Sequence, residues 1–345
     1  MLRRSLLLSL TTSSIALFGI SYEDQFYPAP DCCDWDLFPH RTQVFANAEF
    51  LYWTVAEGGL EYVIRTNNTI NDPIRSEALG NYRHTKFDWR PGLRVSAGWY
   101  NEPHFWEVIA QYTWLYDKGT RRTEPPSGRA LNATFHTFID DPIVEAESRV
   151  GLHYHIGDLL VTRVFDPNPH LRMRVLGGVT FAAIDQSWKV RYVNFDHDWE
   201  RIRNHWSYLA GGLRVGASVD WFWGCQFYFT GKTSIATFLG SYKNEAVIRA
   251  VDVPGAASNP ALLGDAHDRD TRFAFHVQGM LGPSWQRPYD CWAIELFLGY
   301  EFNIWMNLQE IHRTTRSVHT GDKESRFGYG LLGLYGLTAR LTIGF

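Results

Sequence analysis

The 345-residue chain carries 33 basic and 37 acidic residues, a formal net charge of -4, which excludes a general nucleic-acid binder. It holds 14 Trp, 17 Tyr, 22 Phe and 29 Gly, yet its mean hydropathy is only -0.25. No run beyond the N-terminus reaches the about 18 apolar residues of a membrane helix, whereas aromatics without overall hydrophobicity suit a barrel whose alternate strand residues meet lipid.

The N-terminus reads MLRRSLLLSLTTSSIALFGIS. Arg3 and Arg4 precede a short apolar run from Leu6 to Ile20, and Gly19 and Ser21 offer small residues for cleavage. This is the pattern of a secretory signal peptide over residues 1–21. Residues 22–42, with Cys32 and Cys33 adjacent, have no periodicity and are expected as a periplasmic lead-in; residues 43–345 are expected as the barrel.

Gln43 to Val55 is the first predicted strand, followed by a polar stretch from Glu57 to Lys86. The second strand is clearer: Phe87, Trp89, Pro91, Leu93, Val95, Ala97 and Trp99 share one face, with Arg94 and Ser96 on the other. A period of two is the signature of a half-buried strand. After the tight turn NEPH, Trp106, Val108, Ala110, Tyr112, Trp114 and Tyr116 stand against Glu107, Gln111 and Thr113 in the third. A polar stretch from Asp117 to Pro142 follows.

The fourth strand, Ile143 to Phe165, sets Val150, Leu152, Tyr154 and Ile156 against Glu145, Glu147, Arg149, His153 and His155. The fifth turns its Leu171, Met173, Val175, Val179 and Phe181 to lipid, with Arg172 and Arg174 behind, and loop chemistry returns at Val193 to Asn204. Strand six pairs Leu213, Val215, Ala217, Val219 and Trp221 with Arg214 and Asp220; strand seven runs from Phe227 to Tyr242. A loop over Lys243 to Asp270 precedes strand eight, Thr271 to Leu281. Strand nine sets Trp292, Ile294, Leu296, Leu298, Tyr300, Phe302 and Ile304 against Glu295 and Glu301, and a polar loop from Asn307 to Arg326 leads into the last strand.

That last strand, FGYGLLGLYGLTARLTIGF, alternates from Phe327 to Phe345 with only Leu332 and Leu334 out of pattern. Its length exceeds the usual soluble strand of about 5–6 residues, and the closing aromatic marks Phe345 as a candidate signal for the barrel assembly machinery. Long and short connections alternate along the chain, the rule for transmembrane barrels with long extracellular loops and short periplasmic turns. The expectation is an all-β, antiparallel up-and-down transmembrane barrel of about ten strands, or twelve if a loop hides a hairpin, with both ends periplasmic.

On this topology the lumen is lined by Arg94, Glu107, Arg149, Arg172, Arg174, Arg214, Asp220, Lys232, Arg272, Glu295, Glu301 and Arg340. Charge rings set selectivity, and the excess of arginines points to anions. Eight strands leave little free space and clear channels have about 16, so a salt-bridged plug is the competing reading. Cys32, Cys33, Cys225 and Cys291 all fall on the periplasmic side, where disulfides within the chain or to a neighbour are allowed; free thiols are the alternative. His153 and His155 with Glu145 and Glu147 could hold a metal, though polar lumen filling is the commoner use. DHD at Asp196 to Asp198 and DAHDRD at Asp265 to Asp270 lie toward the outer rim, without the nucleophile or complete acid–base set of a hydrolase. The sequons at Asn67 and Asn132 carry no weight in a bacterial envelope.

GYEFNIWMNLQ (Gly299 to Gln309) resembles the strand signature of the Legionella-type major outer-membrane protein family, which includes porin-like proteins of chlamydia relatives. AEFLYWTVAEGGLEY (Ala48 to Tyr62), FDWRPGLRVSAGW (Phe87 to Trp99), the run from His205 to Gly240 and the ending GLTARLTIGF are similar to further parts of that family. The resemblance spans nearly the whole mature chain and implies an integral outer-membrane protein with porin activity, no catalytic residues and no cofactor. The cysteines are a departure from its pattern. A pore for small hydrophilic solutes is therefore expected, with outer-membrane lipid and oligomeric or disulfide-linked envelope proteins as partners. The alternative is a closed barrel with a structural or adhesive role at the cell surface.

Overall fold

The computed structural model describes residues 43–69, 80–101, 104–135, 143–224, 226–251, 260–289, 292–316 and 323–345. The signal segment, the lead-in and all four cysteines lie outside the described residues, as does Asn67 as a side chain. Thirteen strands follow in chain order: β1 (Gln43–Glu57), β2 (Glu61–Thr69), β3 (Gly80–His84), β4 (Arg90–Asn101), β5 (Trp106–Thr123), β6 (Arg129–Ala133), β7 (Ile143–Asn168), β8 (Leu171–Asn194), β9 (Trp199–Phe222), β10 (Phe227–Ala250), β11 (Ala261–Pro288), β12 (Ala293–Arg316) and β13 (Lys323–Gly344). β1 pairs with β4 on one side and β13 on the other, and β7 pairs with β8, so ten strands form a closed antiparallel ring. These are the ten strands expected from the sequence. Closure pairs the strands all round the ring within the lipid band, as a strand crossing hydrocarbon requires, while β11 and β12 part beyond Phe275 and Met306.

The remaining three strands, β3–β2–β6, extend the sheet beside β7 at the end away from the C-terminus. The stretches 57–86 and 117–142 are thus not plain polar loops. Leu60, Tyr62, Val63, Leu131 and Phe135 in them are buried and close over the mouth of the ring. Phe87, expected on the lipid face, is buried in the same cluster because it precedes β4 rather than belonging to it.

Most ring strands are longer than expected. β8, β9, β10 and β12 have 24 residues each. At about 3.3 Å per residue and a tilt near 40°, that is a rise of roughly 60 Å, against a lipid-facing band of about 25 Å. The strands therefore stand well beyond the bilayer on the distal side. The supposed loop at Val193 to Asn204 is a four-residue turn between β8 and β9. Asn194 closes it: its amide donates to the Asp198 carbonyl at 3.0 Å and its side-chain Oδ1 accepts from the Asp198 amide at 2.7 Å. His197 takes φ 69° there, so the DHD residues form a hairpin turn.

Within the band, apolar side chains point out and polar ones in. Leu213 is 64% exposed on the outer face of β9 while Arg214 beside it is 3% exposed. Aromatics mark both borders, with Trp99, Trp106, Trp221 and Phe345 near the terminal end and Tyr52 stacked on Trp89 (5.5 Å) at the distal one. Beyond the distal border the polarity of each face inverts without a change of register. In β7, Leu159 and Val161 face out, but Val150, Leu152, Tyr154 and Ile156 face in. Arg149, His153 and His155 then lie on the outer wall, which corrects the placing of Arg149 in the lumen. The physical reason is the change of solvent: above the lipid the exterior meets water, so the apolar residues turn to the only dry space, the interior.

Truncating an inward residue of this region should therefore be costly. Leu152→Ala is expected to destabilise the barrel by about 2–5 kcal/mol in urea titrations followed by tryptophan fluorescence. His155→Ala, on the outer wall, should shift stability by about 0.5 kcal/mol or less.

Candidate functional site: the barrel interior

Three layers fill the ring. The layer nearest the termini is a charged vestibule around a cavity of about 130 Å³, lined by Glu107, Arg174, Asp220, Lys232, Glu295 and Arg340. Arg174 is paired with Asp220, and Arg340 donates to Glu295 at 2.6 Å. Lys232 and Glu107 also line the cavity, and among the described residues neither makes an ion pair. At the rim, Arg172 is held by Asp166 near the end of β7 at 2.9 Å.

The middle layer is a girdle across the lumen. Arg94 of β4 donates to Glu49 of β1 at 2.6 Å, to Glu301 of β12 at 2.7 and 3.0 Å, and to Thr113 of β5 at 2.9 Å. Glu301 also accepts from Thr338 of β13 and Gln278 of β11. Gln278 Oε1 accepts from Ser234 of β10 and Arg214 of β9. Arg214 then reaches Asp158 of β7 at 2.9 Å, which accepts from Thr180 of β8 at 2.6 Å. One residue from each of the ten ring strands joins this connected network. All ten are buried, Glu301 and Thr338 with no exposed surface at all.

The outermost layer is mainly aromatic and aliphatic, with buried polar residues such as Gln186, Asn244 and His276 among them. Trp305 packs against Phe238 (4.8 Å) and His276 (4.5 Å) and donates to the Tyr154 hydroxyl at 3.3 Å. Trp53 donates to Thr338 at 3.2 Å and lies under the Arg94 guanidinium at 5.4 Å, tying this layer to the girdle. Trp188, Trp206, Tyr192 and Tyr242 continue the packing outward to the residues from β2 and β6. Arg272 sits at this level, not in a vestibule: it stacks on Tyr242 at 3.6 Å and pairs with Glu310 and Asp270.

Of the charges expected in the lumen, all but Arg149 point inward, and each inward arginine has a carboxylate partner. An arginine excess free to select anions is therefore not what the interior presents. The residues that complete the girdle, Glu49, Thr113, Asp158, Thr180, Ser234, Gln278 and Thr338, were not singled out by the sequence. Their only signal is a polar residue on the inward parity of a strand, as with Asp158 in GDLL and Gln278 in FHVQGM.

The proposed His–Glu metal set is dispersed over the outer wall. His155 Nδ1 meets the Tyr112 hydroxyl at 2.7 Å, His153 stacks on Tyr116, Glu145 pairs with Arg122 and Glu147 with Arg149. Among the described residues, one other set could hold a cation: half-buried Glu245 with exposed Asp265 and His267 on the distal outer wall, already joined by a 2.8 Å His267–Asp265 pair.

A closed ten-strand ring with a lipid-facing belt and a filled interior defines an integral outer-membrane β-barrel. The chain belongs to the family described as the Legionella pneumophila major outer membrane protein precursor, whose model matches residues 38–340. No curated protein sequence matches it. Among solved structures it is similar to the outer membrane protease OmpT from Escherichia coli, at 9% identity and a TM-score of 0.42 over 88% of this chain and 96% of that one. It is also similar to a Pseudomonas aeruginosa FadL homologue (8%, TM-score 0.21, 90% and 91%) and the P. putida toluene transporter TodX (7%, TM-score 0.25, 89% and 90%). Likenesses this low carry nothing about activity.

The girdle should be sensitive to loss of its cation. Arg94→Met leaves Glu49 and Glu301 buried without their partner and is expected to cost about 3–5 kcal/mol in the same unfolding assay. Adding Glu301→Gln to that variant should recover part of the loss.

Proposed function

We propose that this outer-membrane protein is a sealed barrel with a structural and surface-presenting role, holding a tall wall of strands above the bilayer. The observation that supports this reading is the ten-residue girdle. A solute path would leave its members partly exposed, yet Arg94, Arg214, Glu301 and Thr338 are buried, and a layer of buried aromatic side chains lies directly beyond them. Opening the interior would strand charged groups whose partners come from other strands of the ring, a cost of several kcal/mol.

Porin-like conduction of small hydrophilic solutes, which the family resemblance implies, is the second reading. The vestibule favours it, since its charged lining, with Lys232 and Glu107 in no ion pair among the described residues, offers a polar entrance at the terminal end. Conduction through the rest of the barrel then requires both the Arg94 crossbar and the aromatic layer to move. The reading assigns the barrel no catalytic step.

Single-channel recording of refolded protein in planar bilayers separates the two, once heat-modifiable mobility confirms folding. A sealed barrel gives no stable steps with the native sequence. Sustained discrete steps that change ion preference in Lys232→Glu would overturn the sealed reading and establish the pore.

A further inference from the structure

The outer wall beyond the lipid band carries a block of like charges held side by side by the sheet. Arg149 of β7 lies directly opposite Lys189 of β8, and Lys189 directly opposite Arg203 of β9. In the next row, Arg191 of β8 faces Arg201 of β9, and Arg201 faces Arg249 of β10. Residues directly opposite in an antiparallel sheet have Cβ atoms about 4.5–5.5 Å apart, and like charges so placed are destabilising. Six cations thus stand on neighbouring positions of four strands.

Glu147, directly opposite Arg191, offsets one end of the block, and the other acidic groups around it are engaged elsewhere or lie at its flank. Glu147 is taken by Arg149 at 2.6 Å, Glu145 by Arg122, Asp185 by His205 at 2.7 Å and Asp265 by His267. Among the described residues, Lys189, Arg191, Arg201, Arg203 and Arg249 make no ion pair. Asp196 and Asp198 lie in the turn above, and Glu245 stands opposite His205 at the flank of the block. Trp199 adds an apolar platform at its edge, with the Arg191 and Arg201 guanidinium groups 5.6 and 5.0 Å from the ring. Arg191 Nε is buried there without a hydrogen-bond partner.

We propose that this block is a binding surface for the phosphorylated inner sugars of the glycolipid that forms the outer leaflet of the same membrane. Charge complementarity requires a polyanion, and an aromatic ring flanked by arginines suits an acidic sugar. Position selects the source. The cations share the outward face of β8 with Val175, Val179 and Phe181 of the lipid belt. Lys189 lies eight residues beyond Phe181, a height of roughly 20 Å above it. A glycan anchored in the leaflet rises alongside this wall and is held at high effective concentration, whereas a free polymer is not.

The test uses the full chain, folded in detergent, with four probes: glycolipid bearing its phosphorylated core, the same glycolipid cut back to its lipid anchor, dextran sulfate, and inorganic phosphate as a control ion. A cation near an anionic surface contributes about a factor of five in affinity. Lys189→Gln/Arg201→Gln/Arg203→Gln should therefore weaken binding of the core-bearing glycolipid roughly 100-fold. Arg163→Gln/Arg287→Gln, at the opposite end of the barrel, should leave it unchanged. The core-less glycolipid and phosphate should bind the native protein much more weakly. Equal binding of the core-bearing glycolipid by the native protein and the triple variant, both heat-modifiable, overturns the proposal. So does equal binding of the core-less form, or tighter binding of dextran sulfate than of the glycolipid.

Discussion

Everything in this barrel follows from closing a sheet of only ten strands inside hydrocarbon. Backbone groups exposed to lipid have no water to bond, so β1 must meet β13 and every edge in the band must vanish. Closure fixes the circumference, and a ring little larger than eight strands leaves an interior that side chains can span. Arg94 spans it, reaching Glu49 beside it and Glu301 across from it. Each charge brought into that space must find a partner, because an unpaired buried ion costs far more than the pair contributes. The girdle is the result of narrowness rather than an addition to it.

The same logic explains what the sequence revealed and what it concealed. In the lipid band, strand parity and face coincide, so Leu213 and Arg214 announce their sides directly. Above the band the parity continues while the polarity exchanges faces. Leu332 and Leu334, the two residues out of pattern in the C-terminal strand, are buried in the apolar interior. They are the inversion, visible in the sequence but easily taken for noise. Ile184, Trp188 and Tyr192 follow the same rule in β8, with Asp185, Lys189 and Arg191 turned outward. The expectation of one lipid face per strand therefore ends the fifth strand at Phe181, although β8 runs on to Asn194. Arg149 was misplaced for this reason alone.

The charged members of the interior were legible where each sits among apolar neighbours of alternating parity, as Arg94, Arg174, Arg214 and Glu301 do. Their partners were not. Arg94 and Glu301 lie 207 residues apart, and which strand heights meet across a tilted ring depends on its stagger, a property of the whole closed sheet. Thr113, Ser234 and Thr338 carry no local mark that separates them from any other small polar residue on an inward position. The aromatic cap was concealed differently: Leu60, Tyr62 and Phe135 lie in stretches whose surrounding polarity is that of loops.

A covalently fixed strand number also limits how such a barrel could open. The ring cannot widen without losing ladder bonds to lipid, so any passage must come from side chains moving within a constant wall. Moving Arg94 uncovers two carboxylates, and the space beyond it is occupied by Trp305, Phe238 and Tyr154, which are carried by the wall strands themselves and not by a detachable segment. The outer wall is constrained in the opposite sense. Its side chains face outward above the lipid, so they are free to vary in charge without disturbing the ladder. The sheet nevertheless holds Lys189, Arg203, Arg191 and Arg201 at fixed neighbouring positions, where their mutual repulsion persists unless an outside anion relieves it. Uncompensated charge is therefore concentrated on the exterior of this molecule, whereas inside the ring each arginine has met its carboxylate.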